Sequence, residues 1–138
     1  MKNTIRWLTV IMLLFSAFSL ASCGGADGGE GENTSVTYEQ ISAEEAKSLM
    51  DTEKAYIIID ARTEEEFAEG HIEGAILIPE YEIAQRAEKE LPDKDALILV
   101  YCRSGRRSKI ASEELVKLGY TNVKEFGGII DWPYETVK

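Results

Sequence analysis

Cys102 is the residue of this chain most suited to covalent chemistry. It lies in the segment Tyr101-Cys102-Arg103-Ser104-Gly105-Arg106-Arg107-Ser108, directly after an apolar run at residues 96–100. A strand-like run thus brings one thiol to an arginine-rich loop, and a helical pattern follows at once. Thiolates are stabilised at helix N-termini and beside cations. The segment therefore predicts an ionised, exposed sulfur surrounded by anion-binding groups.

The residues that follow Cys102 favour an anionic ligand. Successive backbone N–H groups folded around the sulfur would form an anion-binding nest, and Gly105 lets the backbone curl without a Cβ penalty. Arginines can bind oxyanions through paired hydrogen bonds. We predict that residues 103–107 hold the anion, with Arg103 and Arg107 as the main contacts. Arg106 fits a solvated charge at the helix start equally well, and Lys109 fits that description better. Such a loop would need no histidine or carboxylate base.

The numbers of cysteines and histidines bear on whether the chain can form a disulfide or bind a metal. The chain has two cysteines, Cys23 and Cys102, and a single histidine, His71. If Cys23 is modified, Cys102 has no disulfide partner, and a free thiol in an exported protein indicates burial or a use for its reactivity. The sequence predicts neither a metal site nor an organic cofactor.

The N-terminus has the pattern of an export signal. Lys2 and Arg6 precede a mostly apolar run at residues 7–20, which is shorter than a membrane span requires. The run ends in Leu20-Ala21-Ser22-Cys23, which resembles the bacterial lipoprotein signal. We therefore expect a signal peptide at residues 1–22, a lipidated Cys23, a flexible acidic linker over 23–34 and one domain over 35–138. This predicts a protein attached to a cell-envelope membrane by its lipid alone, facing the periplasm or the exterior.

The charge balance excludes some partners. The formal net charge is −10. Loss of residues 1–22 removes two basic residues and no acids, which leaves −12. An acidic domain of this kind argues against nucleic acid and against a basic membrane-binding surface.

Strand and helix patterns alternate along the rest of the chain. Capping boxes at Ser42–Glu45 and Thr63–Glu66 each predict a helix start. Further helices are predicted over residues 80–90 and after the cysteine loop. The predicted strands are residues 36–38, 55–59, 75–78, 96–101 and 123–126, followed by a Gly127-Gly128 turn and a short helical cap at 129–132. The alternation indicates an α/β fold with a mostly parallel five-stranded sheet and helices on both faces. Asp60 and Cys102 then lie at strand carboxyl ends, where such sheets bind ligands.

Several motifs, in order, resemble those of a single-domain rhodanese over residues 37–132. They are Asp60-Ala61-Arg62, Gly70-His71-Ile72-x-Gly74-Ala75, the loop Cys102-Arg103-Ser104-Gly105-Arg106-Arg107-Ser108, and Gly127-Gly128 followed by Trp132. The resemblance implies a rhodanese-like fold and a sulfurtransferase that uses Cys102. It also implies that Arg62 and Asp60 form a structural ion pair near the site and that His71 has a structural role.

The resemblance implies a specific reaction. Cys102 would take a sulfane sulfur from thiosulfate or a polysulfide, hold it as a persulfide on the amides of residues 103–107, and pass it to cyanide, sulfite or a small or protein thiol. The expected partners are therefore small sulfur-containing anions and thiol acceptors.

Two other functions remain open from the sequence. One is a module of the same fold that carries persulfide or senses oxidants without turnover. The other is a phosphatase or arsenate reductase. Cysteine phosphatases need an arginine six positions after the cysteine, where this chain has Ser108. Arg107 lies five positions after Cys102, a spacing that resembles the shorter rhodanese loop.

Overall fold

Helices and strands alternate along residues 37–138, the part of the chain that the computed structural model describes. The expected signal peptide, Cys23 and linker at residues 1–34 lie outside the described residues. The strands are β1 (Glu39–Gln40), β2 (Ile57–Asp60), β3 (Ala75–Leu77), β4 (Ile98–Cys102) and β5 (Val123–Gly128). The α-helices are α1 (Ala43–Thr52), α2 (Glu64–Glu69), α3 (Ile83–Glu90) and α4 (Arg106–Lys117), and 3-10 turns occupy Glu80–Glu82 and Ile129–Asp131.

All five strands pair in parallel, in the order β1-β5-β4-β2-β3. This confirms the predicted α/β fold with a five-stranded parallel sheet. Strand β4 is the central strand, and all five of its residues are buried. Because the strands are parallel, their carboxyl ends share one edge of the sheet, and Asp60 and Cys102 both lie there.

Alternate residues of the central strands pack into two separate hydrophobic cores, one on each face of the sheet. On one face, Ile59, Val100 and Cys102 pack with α3 and α4 through residues such as Ala111 and Leu115. On the other face, Ile58, Leu99 and Tyr101 pack with Ala46 of α1, together with Ile72 and Phe126. The period of two in a β-strand produces this division. Cys102 and Tyr101, adjacent in sequence, therefore belong to opposite faces of the sheet.

Both predicted capping boxes are present. The Ser42 hydroxyl accepts the Glu45 N–H at 3.1 Å, and the Glu45 carboxylate accepts the Ser42 N–H at 2.7 Å. Thr63 and Glu66 make the same reciprocal pair at 3.3 and 3.2 Å. Each box satisfies two N–H groups that a helix N-terminus would leave unpaired.

Three local predictions differ from the structure. The first strand comprises Glu39–Gln40 and not residues 36–38; residues 37 and 38 are not in a strand. The helical segment at 80–90 divides into a 3-10 turn and α3. The expected Gly127-Gly128 turn belongs to β5, where three residue steps from Glu125 to Gly128 oppose two steps from Val100 to Cys102. A glycine pair here accommodates a bulge, and the positive φ of Gly127 (+88°) fits that geometry.

None of the helices in residues 37–138 has the length and apolar character needed to cross a membrane. In the same residues, no group of three His, Cys, Asp or Glu side chains is placed to hold a metal ion.

Candidate active site

Cys102 is the last residue of β4, and the loop after it folds back over the sulfur. The Gly105 N–H donates to the Cys102 Sγ at 3.1 Å. Gly105 has a φ of +93° and directly precedes α4, so the helix begins immediately beyond the loop. A left-handed residue at this point allows the chain to reverse over the thiol, and glycine adopts that conformation at little cost.

The expectation of an exposed sulfur is wrong, because Cys102 is only 1% exposed. The loop backbone covers it, and the exposed residues of the loop are Arg103, Ser104 and Arg106. Burial of this kind is ordinary for a structural cysteine. The polar groups directed at the sulfur distinguish Cys102 from such a residue.

These polar groups make the thiol more acidic despite its burial. Burial raises the pKa of Cys102, but hydrogen bonds from the Ser108 side chain and from the backbone of Ser108, Ser104 and Gly105 lower it further than burial raises it. The net pKa lies below the ordinary thiol value of 9.0. The N-terminus of α4 adds a favourable dipole for the thiolate. The site can therefore hold a negative charge on sulfur, or on a group attached to it.

The loop is held by the end of β5 and by the 3-10 turn that follows it. The Ile130 N–H donates to the carbonyl oxygen of Arg103 at 3.2 Å. A Cβ added to Gly128 would lie 2.2 Å from that carbonyl oxygen and 2.6 Å from the Ser104 Cα. Gly128 is thus a close-approach position, where the absence of a side chain lets the loop pack directly on β5.

Of the basic residues near Cys102, Arg107 has a carboxylate partner. Its guanidinium donates two hydrogen bonds to Glu66, with Nη1–Oε2 at 2.6 Å and Nη2–Oε1 at 2.8 Å. This geometry holds the pKa of Glu66 at about 2, chiefly through the Arg107 hydrogen bonds. Arg103 and Arg106 form no ion pair with any residue of 37–138. The uncompensated positive charge of the loop is therefore that of Arg103 and Arg106.

Asp60 and Arg62 form a buried ion pair on the opposite face of the sheet from the sulfur. Arg62 Nη2 lies 2.7 Å from Asp60 Oδ2, and the Tyr101 hydroxyl donates to the same oxygen at 2.6 Å. The Tyr101 oxygen also accepts the Ile72 N–H at 3.1 Å, and Arg62 Nη2 donates to the Gly70 carbonyl. This network ties β2, β4 and the segment before β3 together, and none of these hydrogen bonds involves Cys102.

His71 also has structural partners. Its ring stacks on Phe67 with centroids 3.7 Å apart, and its Nδ1 lies 3.0 Å from the Phe67 carbonyl oxygen. Its backbone pairs with Val137. These contacts occupy the histidine away from the cysteine loop.

Sequence reasoning missed two carboxylates at the site. Glu125 of β5 is 2% exposed and accepts the Ser108 hydroxyl at 2.6 Å. Glu66 was identified only as a helix cap, and the same carboxylate also binds Arg107. A charged residue inside the apolar pattern of β5 was the available signal for Glu125. Nothing local could have indicated the pairing of Glu66 with Arg107, which lies 41 positions away.

Comparison with known proteins gives a consistent result. A family profile described as "Rhodanese-like domain" matches residues 42–133. Over 80 residues the chain is 41% identical to "Thiosulfate sulfurtransferase PspE" of Escherichia coli (strain K12), spanning 58% of this chain and 77% of that protein. Over 88 residues it is 41% identical to a sulfurtransferase of Allochromatium vinosum, spanning 63% of this chain and 79% of that one. The solved structure of a rhodanese with anions from E. coli superposes with a TM-score of 0.58 at 40% identity, covering 61% of this chain and 99% of that one.

Proposed function

The chain belongs to the rhodanese-like domain family of sulfurtransferases, and from this premise we propose that it moves a sulfane sulfur from thiosulfate or a polysulfide to a thiophilic acceptor through a persulfide on Cys102. The observation that carries the proposal is the loop folded over the sulfur, in which the Gly105 N–H donates to Cys102 Sγ at 3.1 Å directly before α4 begins. This arrangement favours an anionic sulfur even though Cys102 is buried.

The reaction has two displacements. The Cys102 thiolate attacks the outer sulfur of thiosulfate; a new S–S bond forms, and the bond to the sulfonate sulfur breaks, so that sulfite leaves with the electron pair. The Cys102 persulfide then loses its outer sulfur to cyanide, sulfite or a thiol, and the thiolate is restored. Such double displacement gives ping-pong kinetics.

The loop residues divide the remaining work. Amides of residues 103–107 hold the persulfide, and Gly105 already donates to the sulfur. Arg103 and Arg106, both exposed, attract the donor anion to the loop. Arg107 adds a third cation and is oriented by Glu66. Because Cys102 is covered, the donor reaches it when Arg103 and Ser104 move aside.

We also propose where the protein acts. The pattern at residues 1–22 followed by Cys23 supports export as a lipoprotein, with residues 23–34 as a tether and residues 35–138 as the domain. The enzyme would then work at a cell-envelope membrane, on sulfur species outside the cytoplasm. Its contact with the membrane would be through the lipid anchor only.

Intact-mass analysis after brief exposure of the purified protein to thiosulfate tests the reaction. We expect a gain of one sulfur atom that is lost on adding cyanide or a thiol and that does not form in Cys102→Ser. Absence of the adduct with both thiosulfate and polysulfide would contradict the proposal.

The deep burial of Cys102 favours one alternative, a carrier that holds persulfide without rapid turnover. The two functions are separated by steady-state assay. An adduct that forms once and is released to cyanide too slowly for multiple turnovers would identify the carrier, whereas repeated turnover with thiosulfate and cyanide identifies the enzyme.

A further inference from the structure

Glu66 is a carboxylate at the cysteine loop that pairs with one of the loop arginines. Its Oε2 lies 2.6 Å from Arg107 Nη1, and its Oε1 lies 2.8 Å from Arg107 Nη2. The Oε2 atom also accepts the Thr63 N–H at 3.2 Å, so the capping box of α2 holds the carboxylate in place. The side chains of Arg107 and Glu66 are only 18% and 20% exposed, and a pair sheltered in this way is screened less by salt than a surface pair. Glu66 therefore places a fixed negative charge at the loop.

This charge acts close to the sulfur because of where α4 begins. The Gly105 N–H donates to Cys102 Sγ at 3.1 Å, and Arg107 is the second residue of the helix that starts at the next position. The pKa of Arg107 is raised first by its hydrogen bonds to Glu66, and the negative charge of a Cys102 thiolate adds to this effect. An incoming sulfur donor must therefore approach within the field of the Glu66 carboxylate.

The pair leaves Arg107 able to donate hydrogen bonds to an oxyanion but cancels its positive charge. Arginine has five N–H groups, and Glu66 accepts from two of them. The remaining N–H groups can still bind the oxygens of a sulfur donor. A donor approaching from solvent, however, meets a neutral pair at this point, and its attraction comes from Arg103 and Arg106.

Among residues 37–138, Glu66 is the carboxylate that neutralises an arginine of the loop. Arg103 and Arg106 form no ion pair there, and neither does Glu80 of the 3-10 turn that packs against α4. Glu125 accepts hydrogen bonds from a hydroxyl and a backbone N–H, and not from an arginine. A change at Glu66 should therefore alter the charge of the loop more directly than a change at the other two carboxylates.

We propose that Glu66 is a specificity-determining residue whose charge makes the site favour sulfane donors with one negative charge over thiosulfate, which carries two. The proposal rests on the sulfur-transfer function proposed above. Each negative charge on a donor is repelled by the carboxylate, so a dianion loses about twice as much attraction as a monoanion. The expected class of donor is a singly charged sulfane sulfur compound, such as an organic thiosulfonate or an alkyl persulfide.

Methanethiosulfonate and thiosulfate are a matched pair of donors for this comparison. The Cys102 thiolate attacks the outer sulfur of methanethiosulfonate; a new S–S bond forms, and the bond to the sulfonyl sulfur breaks, so that methanesulfinate leaves with the electron pair. Reactants and products each carry two negative charges, and in the same reaction with thiosulfate they carry three. No oxidant or reductant is involved. The two donors thus present different charges at the same kind of reacting bond.

Single-turnover persulfide formation in the full-length protein tests the proposal with these two donors. Glu66→Gln removes the charge and keeps the size of the side chain. At low ionic strength it should raise the ratio of the rate constants, thiosulfate over methanethiosulfonate, by about threefold. Loss of the orientation of Arg107 would by itself slow both donors and would not raise this ratio. An unchanged or lower ratio would overturn the proposal.

Two control variants separate charge from structure. Glu66→Asp keeps the charge, so it should show the wild-type ratio even if both donors react more slowly. Glu69→Gln makes the same change in net charge at an exposed residue of α2 that forms no ion pair within residues 37–138, and it should also show the wild-type ratio. The rise in Glu66→Gln should shrink at about 0.5 M salt, because salt screens the charge of the donor. An equal rise in Glu69→Gln would assign the effect to net charge and overturn the role of Glu66.

Alkylation of Cys102 distinguishes failure of this proposal from failure of the sulfur-transfer function. Iodoacetate carries one negative charge and iodoacetamide none, and both react with the thiolate, so a change in the pKa of Cys102 cancels in the ratio of their rates. Followed at the Cys102 peptide by mass, the ratio of iodoacetate to iodoacetamide should rise by about threefold in Glu66→Gln. If neither sulfur donor modifies the wild-type protein, the sulfur-transfer proposal fails, and this ratio still decides the role of Glu66. Glu66→Ala, which also removes the charge, should give the same rise and decides the question if Glu66→Gln does not fold.

Discussion

At the scale of single residues, the site balances burial of a sulfur against hydrogen bonds that stabilise its charge. Cys102 is covered by its own loop, and burial alone would raise the pKa of its thiol. Polar groups of Ser108, Ser104 and Gly105 lower that pKa by more, so it lies below the pKa of an ordinary thiol. The balance depends on a few short contacts. Single substitutions around the loop should therefore separate binding of the donor from support of the fold.

Substitution of Arg107 tests whether this side chain binds the donor or only supports the fold. Arg107→Ala should lower the second-order rate of persulfide formation from thiosulfate by about tenfold or more relative to Lys109→Ala, since a charge-assisted hydrogen bond contributes about 1.5–3 kcal/mol. Lys109 is exposed on the same turn and is the matched control. Stopped-flow mass analysis measures both rates. Equal rates in the two variants would remove Arg107 from the donor site and leave its contact with Glu66 as its role.

At the scale of helices and strands, contacts between distant elements hold the loop. The Glu66 carboxylate caps α2 and also binds Arg107, so one side chain joins the start of α2 to the first turn of α4. On the other side, the close approach of Gly128 to Arg103 and Ser104 joins β5 to the loop. Because each contact joins two parts of the chain, its loss should lower the free energy of unfolding.

The contact between α2 and α4 should appear in the pH dependence of stability. Glu66→Gln should cost about 1–2 kcal/mol of unfolding free energy at pH 7, because it removes a half-buried charge pair. The pKa of Glu66 is lowered from 4.5 to about 2, so its contribution is complete above the unfolded value and is lost as the pH falls from 4.5 to about 2. Urea unfolding at neutral pH and near the folded pKa should therefore show the difference between wild type and variant shrinking in acid. A constant difference would mean that the pair does not stabilise the fold.

Gly128 tests the contact between β5 and the loop. Gly128→Ala would place a methyl group 2.2 Å from the Arg103 carbonyl oxygen, so the loop must shift. We expect a large loss of persulfide formation together with a lower melting temperature. Gly119→Ala is the matched control: it strains a positive φ of +92° by about 1–2 kcal/mol but meets no atom within 4 Å, and α4 separates it from the cysteine loop. It should lower the melting temperature and leave the rate of persulfide formation in the folded protein unchanged. Full activity in Gly128→Ala would show that the loop does not depend on this contact.

At the scale of the whole molecule, the parallel sheet brings the residues of the candidate site to one edge. Strands β4 and β5 lie side by side, so Cys102 and Glu125 come together from positions 23 residues apart in the chain. The Asp60–Arg62–Tyr101 network holds the other face of the same edge. The proposed attachment to a membrane rests on the N-terminal segment, which lies outside the described residues.

The proposed anchor predicts how the full-length protein partitions. Expressed in a bacterium that lipidates exported proteins, it should enter the detergent phase, because each acyl CH₂ buried contributes about 0.8 kcal/mol. Cys23→Ser should move the protein to the aqueous phase, while Cys102→Ser should not. Detergent-phase separation with mass analysis of the N-terminal peptide measures this. A wild-type N-terminal peptide without lipid would contradict the lipoprotein proposal.

The sequence by itself determined the order of elements, both capping boxes and the position of Cys102 at the end of a strand, because each depends on residues close together in the chain. Ser42 and Glu45 interact across three positions, and the continuous apolar run before Cys102 is typical of a buried strand. The limits of β1 were misplaced, because a two-residue edge strand is defined by its partner β5 and has little pattern of its own.

The tertiary structure alone decided what surrounds the sulfur. Cys102 is buried by residues that are distant in the chain. Arg107 pairs with Glu66, 41 positions away, and Glu125 contacts Ser108. The Gly127-Gly128 pair reads as a turn locally, and only pairing with β4 makes it a bulge in β5. Hydrogen bonds and charge pairs act through space, so local spacing could predict the position of Cys102 but not the carboxylates that contact Arg107 and Ser108.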